Sequence, residues 1–202
     1  MTKGHCLTTS RAVDIFEEMV SCRRDYCADN EFFRMPDVWE YLCDEEGRWT
    51  IKTFRSKETE DFKRKAGVVA FADRVTLTVD EKLLAAAKQG CKLSNFILAH
   101  ELGHVALDHH ARSLVTKHFQ LFAGPSGMSN LPPTLEELEA NYAGVFFQCG
   151  VALLDTNLHP LELARRASSD VYYVQKAQKI VQLDVFQRVL NRPKTRYPRV
   201  IL

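Results

Sequence analysis

The chain has 202 residues, of which 46% are hydrophobic and 26% are charged, a composition typical of a globular protein and unlike that of a disordered or collagen-like chain. Its 27 basic and 26 acidic residues give a formal net charge of +1, so no global field attracts it to nucleic acid or anionic lipid. No window approaches eighteen consecutive apolar residues, and residues 1–10 lack the pattern of a signal peptide. We therefore expect a cytoplasmic protein with no membrane partner and no direct nucleic-acid binding.

The first half of the chain contains both helical and strand-like patterns. Apolar residues at helical spacing predict an amphipathic helix over residues 10–28 and a shorter helix over residues 36–47. Three β-prone runs follow at residues 49–54, 68–71 and 75–79, and the last two are close enough to form a hairpin. The sheet predicted here is small.

The second half of the chain is predicted to be helical. The predicted helices cover residues 94–108, a segment that begins after Pro133, residues 160–167 and residues 171–190. The fold class is therefore α+β and mostly helical, with a small β-sheet that precedes the helix at 94–108. We expect one domain over residues 1–155 and a helical extension over residues 156–202 that packs on it as one structural unit.

The six cysteines are scattered along the chain and form no Cys-x-x-Cys pair. This spacing fits neither a zinc ribbon nor a thioredoxin-type redox site. In a cytoplasmic protein they are expected to be reduced thiols, most of them in the core.

The segment HELGH at residues 100–104 is the strongest chemical signal. Because it lies in a predicted helix, His100 and His104 fall on one face, one turn apart, where two imidazoles can bind a single metal ion. Glu101 lies about 100° around the helix from His100, where it can act as general base on a water molecule. Apolar flanks predict that the motif is buried, which is costly for these polar groups unless they coordinate a metal.

A third ligand is predicted on the helix after Pro133. Thr134 and Glu137 form a T-x-x-E capping box that fixes the helix start. By helical geometry, Glu139 then falls on the apolar stripe, whereas Glu136 and Glu137 face solvent. The sequence predicts Glu139 as the third ligand, and the alternative for this carboxylate is a salt bridge to an Arg or Lys elsewhere in the chain.

Other histidines offer competing roles near the motif. His110 has the spacing of the third histidine in HExxHxxGxxH enzymes, but Leu107 replaces the glycine of the turn, so the helix is expected to continue and carry His110 away. His109 and His110 are alternatively expected at the rim of the cleft. Tyr142 and His109 are candidate donors to an oxyanion because they lie near the predicted ligands in sequence.

The HELGH motif, together with Glu139-Ala140-Asn141 and the apolar helix that follows, resembles the ImmA/IrrE family of metallopeptidases. The resemblance extends loosely over residues 36–183. It implies a gluzincin-like, zincin-type domain in which His100, His104 and Glu139 bind zinc. It also implies a protein substrate, namely a helix-turn-helix transcriptional repressor whose cleavage releases stress or mobile-element genes.

These expectations describe a metal-dependent endopeptidase. The rival hypothesis is a metal-binding sensor or interaction protein that binds a repressor without cleaving it, although Glu101 would then have no role. Zn²⁺ is the expected cofactor, and two imidazoles with a carboxylate also suit Mn²⁺ or Fe²⁺.

Overall fold

The computed structural model describes residues 7–56, 66–71, 74–109, 123–124, 127–128 and 134–192. In chain order the elements are α1 (Thr9–Tyr26), α2 (Met35–Glu46), β1 (Trp49–Phe54), β2 (Ala66–Phe71), β3 (Arg74–Asp80), α3 (Glu81–Lys88), α4 (Lys92–Ala106), β4 (Ala123–Gly124), β5 (Gly127–Met128), α5 (Leu135–Cys149), a 3-10 helix (Gly150–Leu154), α6 (Pro160–Arg166), α7 (Val171–Val181) and α8 (Asp184–Leu190). The predicted α+β, mostly helical fold is confirmed.

The main sheet has three strands in the order β1-β3-β2 among the described residues. β2 and β3 form the expected antiparallel hairpin, with Val68 opposite Leu77, and β1 runs parallel to β3. Val68, Leu77 and Val79 are fully buried, because alternate side chains of each strand face the core. The strand order places β2 at one edge of the sheet, and this edge strand contacts α4.

Side-chain caps set the start of several helices. Thr8 accepts a hydrogen bond from the Arg11 amide at the start of α1, and Thr134 accepts one from the Glu137 amide at the start of α5, as the capping box predicts. Asp80 caps α3 through the Lys82 amide. The sequence analysis did not predict α3, although Asp80 followed by Glu81 is a typical helix start.

The motif helix α4 is held at the centre of the molecule by polar contacts. The Asn95 side chain accepts a hydrogen bond from the Met35 amide at 2.8 Å and donates to the carbonyl oxygens of Ala87 and Cys91 at 2.9 Å. The indole nitrogen of Trp39 donates to the Leu98 carbonyl at 3.1 Å. Because these groups are buried, the bonds satisfy backbone atoms that water cannot reach. They fix α2 and α3 against α4.

Two glycines let α4 and α5 approach closely. A Cβ atom at Gly103 would lie 2.9 Å from Cβ of Ala143, and one at Gly144 would lie 3.0 Å from the backbone nitrogen of His100. A Cβ contact of 2.9 Å is essentially never observed and one of 3.0 Å is unusually tight, so larger residues would press the two helices apart. This close crossing positions the first turns of α5 beside the histidines of α4.

The C-terminal helices share the same core. Val174, Ala177 and Phe186 are fully buried in one cluster with residues of α1 and α5, and Phe186 contacts Phe16 edge to face at 5.7 Å. The predicted helix at 171–190 is divided into α7 and α8, which contradicts the expectation of one continuous helix. Gln187 donates to the Val181 carbonyl at 2.6 Å, satisfying an acceptor at the break while α8 packs on α1.

Candidate metal centre

His100 and His104 lie one turn apart on α4 and face each other. Both side chains are fully buried, and their Nε2 atoms are 3.0 Å apart. The predicted spacing of the two imidazoles on one helix face is therefore realised in the structure.

Glu137 completes the group from the first turn of α5. Its carboxylate oxygens lie 3.2 Å from Nε2 of His100 and 3.6 Å from Nε2 of His104, and the side chain is 21% exposed. The three side chains form a cluster of metal-ligand type among the described residues. The expectation that Glu137 faces solvent was wrong.

The separations fit a zinc ion. Ligands that bind one tetrahedral zinc at about 2.0–2.1 Å lie about 3.3 Å from one another, and the three separations observed here are 3.0, 3.2 and 3.6 Å. The donor set of two imidazoles and one carboxylate leaves a fourth position for substrate or water, as in catalytic zinc sites. Burial lowers the pKa of His100, but the contacts with Glu137 and Glu101 raise it by more than burial lowers it. The pKa of His100 therefore lies above its ordinary value.

Glu139 lies two residues further along α5 and has different partners. Arg11 donates two hydrogen bonds to its carboxylate, at 2.9 and 2.7 Å, and Nε2 of His109 lies 3.1 Å from Oε2. The hydrogen bonds from Arg11, opposed by burial and supported by His109, lower the pKa of Glu139 to about 2. The structure thus brings Glu137, and not Glu139, within reach of both Nε2 atoms, and the salt bridge considered for Glu139 is formed with Arg11.

Glu101 is buried beneath the edge strand of the sheet. Its Oε2 accepts a hydrogen bond from the Val68 amide of β2 at 3.0 Å, while Oε1 has no hydrogen-bond partner among the described residues. Burial raises the pKa of Glu101 to about 7, and the charge of Glu137 adds to the rise while His100 opposes it. One carboxylate oxygen is therefore anchored, and the other is buried with no hydrogen bond to a described residue.

The end of α4 differs from the sequence expectation. The helix ends at Ala106 instead of continuing to residue 108, and Asp108 adopts a left-handed conformation with φ of 53°, which short polar residues such as aspartate tolerate. The amide of His109 then donates to the carbonyl of His104 at 3.1 Å. His109 is turned into the buried centre instead of lying at a cleft rim, and His110 lies outside the described residues.

Two further side chains at the site were given no role in the sequence analysis. Asn141 lies with Oδ1 3.1 Å from Nδ1 of His100, and Arg11 reaches the site from α1, 128 positions before Glu139. The i, i+4 spacing of Glu137 and Asn141 placed both on one helix face and was a usable signal. The contact of Arg11 had no local signal in the sequence.

No described helix has the length and apolarity needed to span a membrane.

The profile of peptidase family M48 matches residues 51–171, a range from β1 into α7 that includes the HELGH motif and the three clustered side chains. No curated protein and no solved structure shows significant similarity to the chain. Peptidases of family M48 are metal-dependent and typically use zinc. With more than half of its length matched, the chain belongs to peptidase family M48, whose members are metal-dependent proteases.

Proposed function

We propose that this protein is a zinc-dependent endopeptidase in which His100, His104 and Glu137 hold the metal and Glu101 is the general base. The observation that carries the proposal is the convergence of two Nε2 atoms and one carboxylate at separations of 3.0–3.6 Å, beside a buried carboxylate with one free oxygen. Glu137 takes the place that the motif analysis assigned to Glu139, because Glu139 is already paired with Arg11.

Each side chain has a distinct role in this proposal. Zinc, when bound, supplies a Lewis acid that polarises the scissile carbonyl and makes a water molecule more acidic. Oε1 of Glu101 accepts the proton of the attacking water and later delivers it to the leaving amine. The Val68 amide keeps Oε2 in place, so that proton transfer occurs at Oε1.

The edge strand supports a polypeptide as substrate. β2 pairs only with β3 among the described strands, and the amide of Val68 points away from β3 to Glu101. An extended peptide that pairs with the outer edge of β2 would therefore run past the general base. Strand addition of this kind provides affinity through main-chain hydrogen bonds.

The narrower proposal for the substrate is a helix-turn-helix transcriptional repressor, with release of stress or mobile-element genes as the outcome. It rests on the resemblance of residues 100–104 and 139–141 to the ImmA/IrrE family, and it requires a cytoplasmic protein. Incubation of the zinc-loaded protein with candidate repressors from the same cell, followed by mass spectrometry of the products, tests it directly. Cleavage of unfolded casein but of no repressor would retain the peptidase and reject this substrate.

Glu101→Gln is the decisive variant for the catalytic role. The amide has nearly the same size, keeps an acceptor for the Val68 amide and cannot act as a base, so zinc content should be unchanged while peptide cleavage falls by at least about 10²-fold. Cleavage at the wild-type rate by Glu101→Gln would reject the mechanism. If neither protein cleaves any substrate but both bind a repressor tightly, the sensor hypothesis replaces the peptidase.

A further inference from the structure

A continuous set of contacts joins α1 to the metal site through three side chains. Arg11 donates to Glu139 at 2.9 and 2.7 Å, Glu139 lies 3.1 Å from Nε2 of His109, and Nδ1 of His109 lies 2.9 Å from Nδ1 of His104. The opposite ring nitrogen of His104 is the one that faces His100 and Glu137. The set therefore ends directly behind a proposed zinc ligand.

Hydrogen-bond chemistry gives these contacts a direction. An arginine can only donate and a carboxylate can only accept, so Glu139 accepts from Arg11 and also from Nε2–H of His109. A neutral imidazole with its proton on Nε2 has an acceptor at Nδ1. With His109 neutral, Nδ1–H of His104 is the donor to His109, and the lone pair of His104 is left on Nε2.

The burial of these groups makes the arrangement selective. His109 is fully buried and Glu139 is 3% exposed, so water does not compete for their hydrogen bonds. The left-handed turn at Asp108 and the bond from the His109 amide to the His104 carbonyl hold the two rings together. A donor in the wrong place here would leave a buried polar group unsatisfied, which disfavours the other tautomer.

We infer that Arg11, Glu139 and His109 are positioning residues that fix His104 in its Nδ1–H tautomer, with Nε2 directed at the metal. The inference rests on the proposed zinc site and adds a function for three residues outside it. It also explains a carboxylate on the buried face of α5 that does not reach the clustered Nε2 atoms. Groups that orient metal-binding histidines commonly change metal affinity by about 10–100-fold when they are removed.

The test compares zinc affinity across a matched set of variants, measured by competition with a chelator of known affinity. His109→Leu removes both hydrogen bonds and should weaken zinc binding by about 10–100-fold, as should Glu139→Leu. His109→Gln can accept from His104 through its carbonyl oxygen and donate to Glu139 through its amide, so its affinity should lie closer to that of the wild type. Gln148→Leu is the control, because Gln148 is also a buried polar residue of α5 but bonds to Ser169.

A second readout detects the tautomer without metal. In ¹⁵N-labelled, zinc-free protein, long-range proton–nitrogen spectra should show His104 protonated at Nδ1 in the wild type and in Gln148→Leu. In His109→Leu this preference should disappear, since neutral imidazole in water favours the Nε2–H form. The comparison is made on variants whose amide spectra show that they remain folded, because an unfolded chain would also favour the Nε2–H form.

The outcomes distinguish this inference from the proposed function. If the wild type binds no zinc, the proposed site fails first. If the wild type binds zinc through Glu137 but His109→Leu and Glu139→Leu retain both its affinity and the Nδ1–H tautomer, the positioning role is wrong. If Glu139→Leu abolishes zinc binding and Glu137→Gln does not, Glu139 is a ligand and the inference is overturned.

Discussion

Gly144 of α5 lies directly against the backbone of His100, and a Cβ atom at position 144 would come within 3.0 Å of the His100 nitrogen. The two helices that supply the proposed ligands therefore touch at main-chain distance. Because no side chain separates them, the position of Glu137 relative to the histidines depends on this contact.

Gly144→Ala should consequently weaken both folding and zinc binding. Forcing a methyl group into a packed interior costs about 1–3 kcal/mol, and the helices must separate to accommodate it. Urea unfolding and chelator competition measure the two effects. Gly47→Ala is a suitable comparison because Gly47 has a φ of 60° with open space around it, so it should reduce stability without lowering zinc affinity. Wild-type zinc affinity in Gly144→Ala would contradict the role of the close crossing.

Asn141 is expected to orient His100 from behind. Its Oδ1 lies 3.1 Å from Nδ1 of His100, and acceptance of that proton leaves Nε2 free for metal. Asn141→Leu should lower zinc affinity by about 10–100-fold, whereas Asn141→Asp, which retains an acceptor, should lower it less. Equal affinities for the leucine and aspartate variants would show that this hydrogen bond has no influence on the metal.

Arg23 should be among the most important residues for stability. It is fully buried, and it donates to the carbonyl oxygens of Phe147 and Gln148 at the end of α5 at 3.0 and 3.2 Å and to that of Glu31. Arg23→Met would leave these acceptors unsatisfied and should lower the free energy of unfolding by about 2–4 kcal/mol. Arg24→Met is the control, because the Arg24–Asp29 pair is exposed and such pairs contribute little. Similar urea midpoints for the two variants would contradict this assignment.

The described cysteines should differ sharply in reactivity. Burial raises the pKa of Cys91, but hydrogen bonds from Ser94 and Leu93 outweigh this effect and lower it overall, and the residue is exposed. Burial raises the pKa of Cys149 to about 12. Since the thiolate is the reactive form, Cys91 should be alkylated first among the described cysteines of the native protein at pH 7.5, and Cys149 should react only after unfolding.

Mass spectrometry after brief treatment with iodoacetamide identifies the modified residue, and Cys91→Ser should remove the fast phase. Rapid native labelling of Cys149 would mean that its environment opens readily. The sequence analysis expected most cysteines to lie in the core. Of the five described cysteines, only Cys149 is buried.

The local patterns of the sequence predicted more than the tertiary contacts. The i, i+4 histidines, the Thr134 cap and the β2–β3 hairpin depend on neighbouring residues, so spacing alone indicated them. Whether Glu137 or Glu139 contacts the two histidines depends on how α5 packs against α4 and α1. Leu135, assigned to the apolar stripe, is 40% exposed, but Glu139 lies on the buried face as predicted, with 3% exposure. Helical spacing could not show that Arg11 binds this carboxylate.

Other differences arise from side chains far apart in sequence. Asp108, in a left-handed conformation, follows the end of α4, whereas Leu107 had predicted that the helix continues. The turn at Asp108 allows His109 to contact His104. The division between α7 and α8 is stabilised by packing of Phe186 on Phe16 of α1. Neither interaction can be derived from a local window, because its energy comes from elements that meet only in the folded chain.

The most direct test of the account is the zinc content of the wild type, Glu137→Gln and Glu139→Gln. Each protein is purified without added metal, and the number of zinc ions per chain is measured by elemental mass spectrometry. The account predicts about one equivalent in the wild type, loss in Glu137→Gln, and weakened but measurable binding in Glu139→Gln. Full retention by Glu137→Gln together with loss in Glu139→Gln would contradict the ligand assignment. Absence of metal from all three, even after zinc is added, would contradict the metal site itself.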